Sequence, residues 1–274
     1  RQDRKELKKA RKASKPHHEV VEAMNSVWTM SISRLPPAEK TATIDKMLDT
    51  GGAALPEVVT KHDTSRALQV LVKHGTAAQR MRMAELLKSH LVDLVCHHYA
   101  HHCVLKLLQY GTHALRQLVA TQLRGHIRDI SFNATGAKVL DYLFAVSSNK
   151  EKGSLLREFF GSQLQLLTGN QQQEQQFSVA HLDQLFSDPT RKQLVLQSLR
   201  QHVTKFVDKD MLMFRFVHTL LWVFLNHADY GAVREMIDLV NKSVMPLYHS
   251  AHGVSVLVHC FKYGTAKDRK ALMR

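Results

Sequence analysis

Three strings, Gly75-Thr76-Ala77-Ala78-Gln79-Arg80, Gly111-Thr112-His113-Ala114-Leu115-Arg116 and Gly264-Thr265-Ala266-Lys267-Asp268-Arg269, share the pattern G-T-x-x-x-R. The first two begin 36 residues apart, and each follows a similar apolar run, ALQVLVKHG, CVLKLLQYG and VLVHCFKYG. A supersecondary unit recurring at this period stacks on its own copies to bury its apolar face. The chain therefore reads as a repeat array with a long surface for a long partner.

Stepping the period along the chain sets the expected organisation. Six units end near 75, 111, 147, 188, 228 and 264, filling 51–264, and a further unit begins at 265–274. The surplus between 147 and 228 falls on the polar loop GNQQQEQQ at 169–176. Ahead of the array lie a basic arm, 1–15, and N-terminal helices in 16–50, the last stopping at Gly51-Gly52. Within 76–111 the string AAQRMRMAELLKSHLVDLV predicts one helix. After a break near His97-His98, HHCVLKLLQY predicts a second, whose apolar face is Cys103, Val104, Leu107 and Leu108. The expected class is all-α, a right-handed-type α-solenoid with about 36 residues per unit. The unfinished last unit makes the chain read as the N-terminal part of a longer array, and a start on Arg in place of Met points to an upstream segment.

Charge narrows the partner. The net charge is +14, and the first fifteen residues alone carry eight Lys or Arg against Asp3 and Glu6. A basic body with a denser basic arm is the footprint of a polyanion binder; anionic membrane and acidic peptides are the rivals. Within the arm Arg4, Lys5, Lys8, Lys9, Arg11 and Lys12 are the candidate RNA contacts. No apolar run nears the ~18 residues of a membrane span. Cys96, Cys103 and Cys260 form no C-x-x-C pair, which suits buried thiols in a reducing compartment.

Aligning the units creates columns along the second helix. Ser65, His101 and Ala137 share the first, Arg66, His102 and Lys138 the next, and Gln69, Leu105 and Asp141 the third. Positions i, i+1 and i+4 lie along one helix edge, so the columns predict a stripe. Ser65-Arg66-x-x-Gln69 can hydrogen-bond a base edge while its guanidinium stacks on the base face.

The period, the S-R-x-x-Q line and the G-T-x-x-x-R joint together resemble Pumilio-homology (Puf) repeats. The strings KELKKARK at 5–12, HDTSRALQVLVKHG at 62–75 and GTAKDRK at 264–270 are similar to the divergent Puf-A branch. The resemblance covers essentially the whole chain and is weakest over 148–200. It implies RNA binding that is largely independent of sequence, with a nucleolar role in large-ribosomal-subunit assembly on precursor ribosomal RNA, in the company of pre-60S particles and ribosomal proteins. Ser65, Arg66 and Gln69 match the family's adenine-reading trio. His101, His102 and Leu105 do not form a standard trio, and Ala137, Lys138 and Asp141 keep only the cation. His218, Thr219 and Trp222, then Val254, Ser255 and Val258, fit no code. One legible unit supplies only ~1–3 kcal/mol of discrimination per good contact, whereas phosphate neutralisation grows with every Lys and Arg. A sequence-specific messenger-RNA repressor and an armadillo- or HEAT-like scaffold are the alternatives.

Other candidates carry less. His97-His98-x-x-His101-His102 lacks a Cys or carboxylate at ligand spacing, so the expectation is polar surface near phosphates with no metal or cofactor. Trp222 sits among apolar neighbours and reads as core. Arg80, Arg116 and Arg269 read as a structural joint bonding carbonyls of the preceding turn. No phosphate loop, nucleophile elbow, paired carboxylates or metal quartet is present, so neither catalysis nor a small-molecule substrate is expected.

Overall fold

The computed structural model describes residues 10–11, 14, 16–29, 32–161, 186–241 and 243–273, and among these there are helices and turns but no strand. Contacts divide the chain into two compact units, 1–126 with 133–139, and 127–132 with 140–274. No described helix is long and apolar enough to cross a membrane. The polar loop at 169–176 lies outside the described residues.

The first unit holds α1 (His18–Thr29), α2 (Pro37–Gly51), α3 (Leu55–Val58), α4 (His62–His74), α5 (Ala77–Leu87), α6 (Leu91–Cys96), α7 (His101–Tyr110) and α8 (His113–Leu123). α2 stops where expected: Gly52 takes φ +40°, a left-handed conformation that glycine adopts without a Cβ penalty, and its N–H caps Leu48 O. α4 packs between α1 and α7. It buries Ala67, Leu68, Leu71 and Val72, and α7 buries Cys103, Val104, Leu107 and Leu108 at the same register. This i, i+1, i+4, i+5 face is what a 36-residue period must reproduce for neighbouring helices to share a core. Fully burying one such Leu contributes about 1.5–3 kcal/mol. The single helix expected over 77–95 is corrected here. A 3-10 turn at Lys88–His90 splits it, so that Leu91, Leu94 and Val95 bury from the separate helix α6 against α7.

The second unit contains α9 (Ile127–Ser131), α11 (Asn149–Leu156), α12 (Pro189–Asp208), α13 (Arg215–His227), α14 (Tyr230–Val240), α15 (Ala251–Tyr263) and α16 (Ala266–Leu272). α10 (Ala134–Val146) has residues in both units. α13 buries Leu220, Leu221 and Phe224, and α15, packed against it, buries Val256, Leu257 and Cys260. His218 ties the two together. Its Nε2 faces the Leu212 carbonyl at 2.5 Å and must carry the proton, so Nδ1 accepts from the Ser250 hydroxyl at 2.7 Å. Ser250 in turn caps α15 through Gly253 N–H, at 2.9 Å. A Cβ on Gly253 would collide with the Leu247 carbonyl and press on the His218 ring.

Each G-T-x-x-x-R string is a helix joint. Thr76 Oγ1 accepts Gln79 N–H at 3.2 Å while Gln79 Oε1 accepts Thr76 N–H at 3.0 Å, a reciprocal cap. Thr112 caps Leu115 N–H, and Thr265 pairs reciprocally with Asp268. The same device recurs at Ser148, Asp188 and Asp229 without the string. The arginines do what their recurrence suggested. Arg80 Nε donates to Val72 O at 2.8 Å, Arg116 Nε to Leu108 O at 3.0 Å and Arg269 Nη1 to Phe261 O at 3.4 Å. Each guanidinium reaches eight residues back and satisfies a carbonyl in the last turn of the preceding helix.

Candidate nucleic-acid interface

The stripe expected along α4 and α7 is exposed only at its middle column, a correction to the sequence reading. Ser65 is 1% exposed and donates its hydroxyl to Tyr99 O at 2.9 Å; Gln69 Nε2 donates back to Ser65 Oγ at 3.3 Å. His101 is 3% exposed, gives its Nδ1 proton to His97 O at 3.0 Å and lies against His102 with ring centroids 3.9 Å apart. Ala137 is fully buried. The cause is helical geometry: position i points toward the packed neighbour, and the next residue, turned about 100° further, faces water. The edge-reading half of the trio thus bonds inside the protein.

The middle column differs. Arg66, His102 and Lys138 are all exposed, one per repeat, within the first unit. Lys138 is close enough to His101 and His102 to depress both their pKa values. In the third column Gln69 and Leu105 are half-buried. Asp141, in the second unit, is buried and holds Arg215 by a 3.0 Å ion pair and a 2.5 Å bond from the Arg215 N–H.

Around this row lies a dense set of rings. Tyr99 meets His62 edge-on at 5.3 Å and His98 at 4.8 Å. His97 Nδ1 accepts the N–H groups of Tyr99 and Ala100, which fixes it as an acceptor and turns the chain into α7. Burial is the main cause holding His101 below the ordinary imidazole value. Partial desolvation, then the charges of His101, Lys138, His98 and Lys106, do the same to His102. Among the described residues no three His, Cys, Asp or Glu converge closely enough to hold a metal.

Of the basic arm, Arg4, Lys5, Lys8, Lys9 and Lys12 lie outside the described residues; Arg11 is described and exposed. In the second unit His218 and Thr219 are buried. Trp222, expected in the core, is half-buried, its indole stacked on His252 at 4.6 Å. One cationic cluster escaped the sequence reading. Lys205 of α12 and Lys209, just past its end, lie over the Phe132 ring at 4.0 and 5.5 Å, and Lys209 Nζ donates to Phe132 O. The i, i+4 lysine pair was visible in sequence, but the ring 73 residues before it was not.

No family model matches the chain. It is 31% identical over 275 residues to Pumilio homology domain family member 6 of Schizosaccharomyces pombe, covering 99% of this chain and 42% of that protein. It is 25% identical over 278 residues to human Pumilio homolog 3, again over 99% and 42%. The chain therefore spans under half the length of these relatives. Among solved structures it superposes on human Puf-A with TM-score 0.80 at 22% identity, over 93% of this chain and 49% of that one. It also superposes on human Puf-A in complex with DNA, with TM-score 0.81 at 22% identity, over 94% and 50%. These superpositions establish the α-solenoid repeat class.

Proposed function

Since the chain belongs to the divergent Pumilio-homology (Puf) repeat family, we propose that it binds RNA by the phosphate backbone, with little preference for sequence. The carrying observation is the exposed row Arg66, His102 and Lys138, set beside edge-reading positions that are spent inside the fold. Cations aligned one per repeat neutralise phosphates whatever the bases are, and each releases counterions. Sequence readout needs free donors and acceptors at the base edge. Ser65 and His101 use theirs on Tyr99 O and His97 O.

The family relationship and the basic charge support a finer reading: a factor in large-ribosomal-subunit assembly that acts on precursor ribosomal RNA, in nucleolar pre-60S particles with ribosomal proteins. The test is to crosslink the tagged full-length protein in cells and sequence the RNA recovered. Precursor ribosomal RNA should dominate. Recovery of messenger RNAs sharing a motif several bases long would support sequence-specific repression instead.

A further inference from the structure

We propose that the α13–α15 face of the second unit is a protein-docking strip that takes an acidic amphipathic peptide segment and does not hold RNA. The chemistry changes at the central column. Where the first unit exposes Arg66, His102 and Lys138, the equivalent residues are Thr219 and Ser255, whose hydroxyls bond carbonyls of their own helices, Arg215 O at 3.2 Å and Ala251 O at 3.1 Å. No cation stands where a phosphate would have to be neutralised.

Apolar groups occupy the middle of this face. Trp222 is half exposed and lies flat on His252, which Thr219 also contacts at 2.9 Å. Val258, one repeat beyond Trp222, is 58% exposed, and Val254, one turn before it on the same helix, is 45% exposed. An isolated exposed valine is ordinary; two aliphatic side chains one turn apart and an indole one repeat before make a strip whose burial would drive association.

The edge determines the partner's charge. The sequences of α13 (RFVHTLLWVFLNH) and α15 (AHGVSVLVHCFKY) contain no Asp or Glu. Lys262 is exposed one turn past Val258, and Lys152 is near enough to act on His252. The Arg215 charge at the far end is already engaged by Asp141. An apolar centre with a cationic border fits a helix or extended segment with Leu, Ile or Phe on one face and Asp or Glu at its margins.

The experiment measures fluorescence anisotropy of three labelled probes on the whole chain: a four-turn Leu/Glu amphipathic peptide, its Leu/Lys counterpart, and a U-rich RNA. The acidic peptide should bind saturably and the basic one should not. Val258→Glu and Lys262→Glu, both at exposed positions, should each weaken the peptide by about tenfold or more, the equivalent of 1.4 kcal/mol. RNA affinity should stay within about twofold, and urea midpoints equal to that of the unsubstituted chain report that both variants are folded. The proposal is overturned if the acidic peptide does not bind, if neither variant affects it, or if the variants weaken RNA to the same extent and so mark the face as an RNA surface.

Discussion

Lys138 and Arg66 carry the residue-scale argument, because each is exposed and each adds a positive charge to the same row. Converting either to Ala should weaken all single-stranded RNAs alike and flatten the log K versus log salt slope by about 0.7 per charge. Ser65→Ala should leave RNA discrimination unchanged but cost about 1 kcal/mol of stability, since it removes the bond from α4 to Tyr99 O, which keeps only the His102 N–H, and takes from Gln69 Nε2 its acceptor. His102 supplies a pH test. In the free protein its pKa is held down by partial desolvation and neighbouring cations, and a polyanion laid along the row favours the imidazolium. Binding then takes up protons, so affinity should rise as pH falls from about 7.5 to 5.5, and His102→Gln should abolish most of that rise. S-R-x-x-Q was legible as a helix edge. The inward turn of Ser65 was not, because its partner is a carbonyl 34 residues later, and spacing along one helix does not say which neighbour touches it.

At the scale of elements, the joint between helices is the repeated part. Thr112→Ala should cost about 1 kcal/mol, the usual worth of an N-cap, read as a shift in the urea midpoint. Arg116→Lys should cost a similar amount, about 1 kcal/mol, because an ammonium cannot reproduce the Nε–H bond to Leu108 O. Three joints announced themselves as G-T-x-x-x-R. The caps at Ser148, Asp188 and Asp229 did not, since Ser and Asp cap as well as Thr, and Lys152, Lys192 and Val233 stand where the arginine would be. The core faces of α4 and α7 were readable from periodicity alone. The 3-10 break at Lys88–His90 was not, for the apolar pattern continues through it and only packing against α7 demands the change of direction.

For the whole molecule, two sets of titrations erode stability on acidification, one near neutrality and one at low pH. His101, His202, His218 and His252 are all held below the ordinary imidazole value, chiefly by burial. The unfolded chain therefore binds protons that the folded chain refuses. Stability should be full above about pH 6.5 and decline as pH falls below it, less steeply in His218→Gln, as read from urea midpoints across pH. Asp268 works in the same direction at lower pH. Bonds from Thr265, then the Arg234 pair, lower its pKa to about 2, so its contribution is present above the ordinary carboxylate range and is lost only as pH approaches 2. The positive charge of the whole chain, +14, acts over all of this and underlies the binding mode proposed above. The most direct test of that mode is RNA affinity across a salt series, measured for several single strands of equal length and unrelated sequence. The account predicts parallel lines that fall steeply with salt and lie within a few-fold of each other. A flat salt dependence, or one sequence bound about a hundredfold more tightly than the rest, would contradict it.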